Sequence, residues 1–149
     1  MNYYNSIARG YNKLYRQEQL NKLIIINNNI KITASTKILD VGCGTGLSSC
    51  FDCLVVGLDP SIGMLRQNTS KRKIMGAAEC LPFKDGYFDY VISVTSLHNF
   101  DDIKKSISEM KRVSSGNFVL SILRKAKKFD YFKSVISENF RIEKVIEED

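Results

Sequence analysis

The sequence predicts an α/β fold, a doubly wound and mostly parallel sheet with helices on both faces. Three observations predict it. From Lys37 onward, short β-rich runs alternate with helical stretches, the pattern of parallel strands joined by crossover helices. A glycine-rich turn, Gly42-Cys43-Gly44-Thr45-Gly46, directly follows the first of those runs. An acidic residue, Asp59, closes the second run, 19 positions after Asp40. At 149 residues the chain has room for one domain with one sizeable core. Residues 1–30 are expected to form a helical cover, and 37–149 the α/β core.

The expected strands are 37–41, with Ile38 and Leu39 buried, then 54–58, 73–75, 88–94, 117–123 and 140–146. This amounts to a minimal Rossmann-like sheet of six strands, or seven at most. The chain stops soon after the sixth, so a seventh is expected to be missing and a sheet edge left exposed, inviting a protein partner or a second copy. Residues 3–27 read as one or two amphipathic helices carrying Tyr4, Ile7, Tyr11, Leu14 and Tyr15. Ser61 to Thr69 follows the turn at Asp59-Pro60. Asp101 or Asp102 caps a helix in which Ile103, Ile107, Met110 and Val113 recur at helical spacing, and Phe129 to Asn139 makes the last helix. Only seven residues separate Gly46 from Leu54, enough for about two helical turns plus a bend.

Composition narrows the function classes. No run approaches the ~18 apolar residues that span a bilayer, and the N-terminus lacks the charged and apolar regions of a signal peptide, so no membrane role and a cytoplasmic location are expected. The net charge of +6 is compatible with an anionic substrate without demanding nucleic acid. Cys50 and Cys53 form a CxxC, but zinc would want a second Cys or His pair, and a redox pair would sit at a helix N-terminus. They read instead as small buried hydrophobes, and no metal is expected.

A glycine turn between strand and helix lets a ligand approach the backbone. Dinucleotide sites favour GxGxxG, whereas this chain has GxGxG with Leu47 in the last glycine's place. The carboxylate of Asp40, just before the loop, suits a ligand bearing an ammonium group better than one bearing phosphates. Asp59 can accept both hydroxyls of a ribose, or can serve as a turn cap before Pro60.

Four strings in order resemble the class I S-adenosylmethionine-dependent methyltransferases, nearest to their type 11, ubiquinone- and menaquinone-biosynthesis-like branch. They are ILDVGCGTG (38–46), GLDPSIGML (57–65), AAECLPFKDGYFDYVISVTSLHNF (77–100) and EMKRV (109–113), with a weaker echo in the tyrosine-rich residues 4–11. The resemblance implies S-adenosylmethionine as cofactor. The loop Gly42, Cys43, Gly44 and Gly46, beside Asp40, would wrap its methionine moiety. Asp59 and Pro60 would face the ribose, and Met64 would pack on the adenine, unless it is core. Ala78 would offer its N–H to the adenine with Glu79 alongside, Ser93 would lie near the amino group, and Tyr11 would close over the site. Ala77 stands where this family often has an aspartate.

Methyl transfer from a sulfonium needs positioning and desolvation, and a base only if the acceptor arrives protonated. No catalytic residue is assigned; His98, the only histidine, is the one candidate base, weighed against a structural role. The chain lacks the Asn-Pro-Pro-Tyr signature of adenine or glutamine amino-group methylation and a paired-cysteine arrangement for cytosine C5 chemistry. Lys125, Lys127 and Lys128 follow the fifth strand on the rim where ligands enter such sheets, and Arg9, Lys13 and Arg16 lie in the covering helix. An acidic or phosphate-bearing acceptor, a small molecule or RNA, is one expectation; a solvated charged face is the other. Two rival functions are a cofactor-binding subunit that needs a protein partner and an NAD-dependent oxidoreductase.

Overall fold

A computed structural model describes residues 2–148, with side chains from Arg16 to Glu148. Helix α1 (Asn2–Asn29) precedes β1 (Lys37–Val41), β2 (Leu54–Asp59), α2 (Ile62–Gln67), β3 (Lys73–Met75) and β4 (Phe88–Val94). Helix α3 (Ile103–Val113), β5 (Ser114–Ser121) and α4 (Phe129–Asn139) complete the order. The five strands are parallel and run β3-β2-β1-β4-β5. The order reverses between β1 and β4, so a crevice opens beyond their carboxyl ends.

The alternation of side chains along the strands sorts them into two cores. Leu39, Val41, Leu58 and Val91 face α3, joining Met110 and Val113. Ile38, Val55 and Ile92 face the other way, against Leu23 and Ile26 of α1. Phe88 lies in the α3-side core and Tyr90 against the α1-side core, and the register with β5 shifts between them. Helix α3 forms because its apolar residues recur on one face and because Asp102 caps it, its Oδ1 accepting the N–H of Lys105 at 3.0 Å. Helix α4 packs Phe132 and Val135 on Ile103 and Ile107.

The N-terminal region, read as one or two helices, is one helix, as that reading allowed, and it stops at the asparagines, where the side chain of Asn29 donates to the carbonyl of Ile25 at 2.7 Å. Several expectations are corrected. The crossover after the glycine loop is a single 3-10 turn, Leu47–Cys50, because the seven residues must also reach back to the start of β2. Strand β5 begins directly after α3, three residues earlier than expected. The sheet has five strands among the described residues, not six or seven. Residues 140–146 lie outside any strand: Ile142, Val145 and Ile146 are exposed, and the segment is held by ion pairs of Glu147 with Arg124 and of Glu148 with Lys22. Cys50 is exposed rather than buried, while Cys53 packs on the α1-side core; all four cysteines are free thiols. Among the described residues, no helix is long and apolar enough to cross a membrane, and no group of three or more His, Cys, Asp or Glu is placed to hold a metal.

Candidate functional site

The loop after β1 is shaped by left-handed backbone at Gly42 (φ 83°), Gly44 (φ 52°) and Gly46 (φ 85°). Two of these glycines are also required by crowding. A Cβ on Gly42 would stand 2.4 Å from Oγ of Ser96, and one on Gly46 2.3 Å from Oδ1 of Asn68. Asn68, buried just after α2, holds the loop from outside by donating to the carbonyl of Gly44 at 3.2 Å. Ser96, beyond the end of β4, donates to the carbonyl of Gly42 at 3.2 Å and so spans the crevice between β1 and β4.

Two carboxylates flank the loop. Asp59 is buried; its Oδ2 accepts the N–H of Gly44 at 2.9 Å and its Oδ1 that of Ser61 at 2.8 Å. Burial raises its pKa, and the two N–H donors oppose the rise. Asp40 is also buried. Its Oδ2 accepts a 2.5 Å hydrogen bond from the hydroxyl of Ser48, while its Oδ1 has no partner. Burial pushes the Asp40 carboxyl up to about 6, with the charge of Asp59 adding to the shift and the Ser48 bond opposing it. The Cys43 thiol is raised as well, chiefly by burial and then by the two carboxylates, which disfavours its thiolate form.

Asp40, Gly42, Cys43 and Gly44 line one small pocket together with Thr45, Ser48 and Val94. Gln19 and Leu23 of α1 form its outer wall. Thr95, with a left-handed φ of 50°, anchors that wall: its hydroxyl stands 3.1 Å from Nε2 and 3.2 Å from Oε1 of Gln19.

The other expected site residues are dispersed. Pro60 is exposed beside Asp59, whereas Met64 and Ala78 are buried, Ala78 within the α3-side core. The Glu79 carboxylate accepts the backbone N–H of Asp102 at 3.1 Å and ties its loop to the start of α3. Strand alternation turns the Ser93 side chain to the α3 face, opposite Asp40, where its Oγ is buried without a partner. The side chain of Tyr11 lies outside the described residues. Gln19, Ser48, Asn68, Thr95 and Ser96 were not expected at the site. Each is a common polar residue whose partner is distant in sequence or in a loop, and only Ser48, on the short turn after the glycines, gave a local hint.

His98 lies on the same rim, in a 3-10 turn after β4 (Leu97–Asn99), with a pKa lowered by partial burial. It lines a second, larger cavity of about 590 Å³ between the start of α3 and the start of α4.

The loop behind the site is stitched to α3. Glu109 accepts the N–H of Leu81 at 2.8 Å, and Arg112 donates to the carbonyls of Leu81 and Phe83, each at 2.8 Å. Two of the strings that carry the resemblance, the one containing Leu81 and EMKRV, are thus halves of one contact.

A family model described as a methyltransferase domain matches residues 39–120. An uncharacterized protein of Methanocaldococcus jannaschii is 32% identical over 149 aligned residues, which cover 93% of this chain and 57% of that protein. A demethylmenaquinone methyltransferase of Renibacterium salmoninarum is 41% identical over 86 residues, 52% of this chain and 36% of that enzyme. The chain thus spans between about a third and three fifths of the length of these relatives. The structure of a SAM-dependent methyltransferase from Aquifex aeolicus superposes with a TM-score of 0.64 at 15% identity, covering 90% of this chain and 86% of that one, which shows a shared fold. The match to the domain model takes in the glycine loop, both flanking carboxylates and the Glu109–Arg112 clamp, and on it the chain belongs to the methyltransferase domain family.

Proposed function

We propose that this chain binds S-adenosylmethionine at the Gly42–Gly46 loop and transfers its methyl group to an acceptor arriving at the carboxyl rim of β4 and β5. Family and fold imply that cofactor. The observation that carries the reading is the unpartnered Oδ1 of Asp40, a buried carboxylate oxygen on a pocket bounded by glycine backbone and α1. A buried acceptor with no donor is costly unless a ligand supplies one, and an ammonium group answers both its charge and its geometry.

The residues present fit the cofactor. Asp40 would take its ammonium group, and the glycine backbone would admit the methionine moiety, since no Cβ stands in the way. Asp59 would meet the ribose hydroxyls with the lone pairs that Gly44 and Ser61 leave over. Met64 and Ala78 would back the adenine from the core. When bound, the cofactor supplies an activated methyl group on a sulfonium. What the chain adds is orientation along the line of displacement and exclusion of water by α1. Gln19 and Leu23 close the pocket on its outer side, so α1 shields the methionine end of the bound cofactor from water.

Calorimetric titration with S-adenosylmethionine, S-adenosylhomocysteine and NAD tests the reading. Binding of the first two and not of NAD is expected. Asp40→Asn should weaken S-adenosylmethionine by about tenfold or more, as loss of a charge-assisted pair does, with an unchanged circular dichroism spectrum. Binding of NAD alone, or an Asp40→Asn variant with full affinity, would refute it.

A further inference from the structure

The cavity beside His98 has a composition that selects its occupant. Its about 590 Å³ lies between residues 98–104 and residues 126–132, at the rim where β4 and β5 end. That volume is within the roughly 300–1,000 Å³ range of small-molecule sites. Its apolar lining comprises the rings of Phe100, Tyr131 and the largely buried Phe132, with Ile103 and Ala126 beside them, and the rings suit a planar ligand. Its cations are Lys104, Lys127 and Lys128, and among the described residues none of the three makes an ion pair.

Two carboxylates, Asp101 and Asp102, also line the cavity, but Asp102 is engaged as the cap of α3. On the opposite wall Lys127 and Lys128 stand just before α4, whose first turn carries one carboxylate, Asp130, against these two cations. The balance at that wall therefore favours an anion. Val94 lines the glycine-loop pocket and His98 lines this one, so three residues of chain separate the two.

We propose that this cavity is the acceptor site and that it takes a small aromatic molecule bearing a carboxylate or phosphate, its ring among Phe100, Tyr131 and Phe132 and its anion at Lys127 and Lys128. The inference rests on the methyltransferase reading above for the word acceptor, and on the cavity alone for the ligand class. The ring face gives affinity without charge, and the lysines discriminate between the acid and its neutral counterpart.

His98, the only histidine, supplies the protein's one imidazole, whose Hε1 signal reports on this wall. The full chain is titrated by NMR with 4-hydroxybenzoate, with phenyl phosphate and with uncharged 4-hydroxybenzamide, each with and without S-adenosylmethionine; total RNA is a separate arm. The two acids are expected to shift the His98 signal saturably, and the amide to bind at least about tenfold more weakly. Lys127→Glu with Lys128→Glu should weaken the acids about tenfold while calorimetry shows S-adenosylmethionine affinity unchanged. Whichever acid binds more tightly identifies the anion as carboxylate or phosphate. Equal binding of the amide, indifference to the charge reversal, or a response to RNA alone overturns the proposal. Acid binding without S-adenosylmethionine binding would sink the donor reading and leave the cavity's ligand class standing; the converse would sink this inference alone.

Discussion

Gln19 of α1 and Thr95 at the end of β4 meet side chain to side chain across 76 positions of sequence, with the threonine hydroxyl 3.1 Å from the amide nitrogen and 3.2 Å from the amide oxygen. This contact latches the helix over the glycine loop. Replacing Gln19 by Ala should cost about 1 kcal/mol, the usual value of a partly buried side-chain hydrogen bond. Amide exchange around Leu23 should speed up, and S-adenosylmethionine should associate faster. Thr95→Val should do the same, and the double variant should be no worse than the worse single one, because both remove one interaction. Additive losses in chemical denaturation would argue against the latch.

Asp40 links cofactor affinity to pH. Its folded pKa is raised from 3.8 to about 6 by burial. A cationic ligand beside it lowers that value, so binding should weaken as pH falls below about 6 and should release a proton near that pH. Calorimetry in buffers of different ionisation enthalpy measures the proton directly.

The same group sets a stability trend. A carboxyl whose folded pKa lies above its unfolded one binds more protons when folded, so stability falls as pH rises from about 4 to about 6. A shift of this size corresponds to about 3 kcal/mol at most. Asp40→Asn should therefore raise the Tm at pH 8 while weakening the cofactor, and should change the Tm little at pH 4. A lower Tm at pH 8 would show that the carboxylate stabilises the fold.

Two glycines separate strain from crowding. Gly86 has φ 63° and open space, nothing within 4 Å, where a Cβ would stand, whereas at Gly46 the new Cβ would lie 2.3 Å from Asn68 Oδ1. Gly86→Ala should cost about 1 kcal/mol, the ordinary left-handed penalty. Gly46→Ala should cost clearly more and abolish cofactor binding. Thermal melts and titration of the two variants side by side provide the check.

The clamp on the loop at Leu81 has its own pH signature. The guanidinium of Arg112 beside Glu109 holds that carboxyl below its ordinary value of 4.5. Its contribution to stability is therefore full above the ordinary carboxylate range and lost as pH falls through the lowered pKa. Arg112→Met should lower the Tm at pH 7, expose the segment around Phe83 to limited proteolysis, and flatten the acid limb of the stability profile. An unchanged acid limb would assign that limb to other carboxylates.

Much of this was legible from local pattern. The boundaries of β1, β3, β4 and α4 could be read because apolar alternation and turn residues act over a few positions, and the glycine loop because only glycine tolerates its backbone. The stretch 140–146 misled for the same reason. Its apolar residues look like a strand, but a strand exists only where a neighbour completes its ladder, and Ile142 and Val145 have none. Ser93 could be placed at the end of β4, while its side chain's turn toward the α3 core follows from the pleat of the folded strand.

By itself, then, the sequence determined what depends on neighbours along the chain: the parallel α/β plan, the loop between Asp40 and Gly46, and the acidic end of β2. Only the tertiary structure decided which polar groups meet. It gave Oδ2 of Asp40 to Ser48 and left Oδ1 without a partner, set Asn68 behind Gly46, placed Gln19 on Thr95, and gathered His98, Lys127 and Tyr131 around one cavity. The physical reason is that a hydrogen bond or a cavity wall is fixed by distance in space, and the packing of α1, α3 and α4 on the sheet sets those distances.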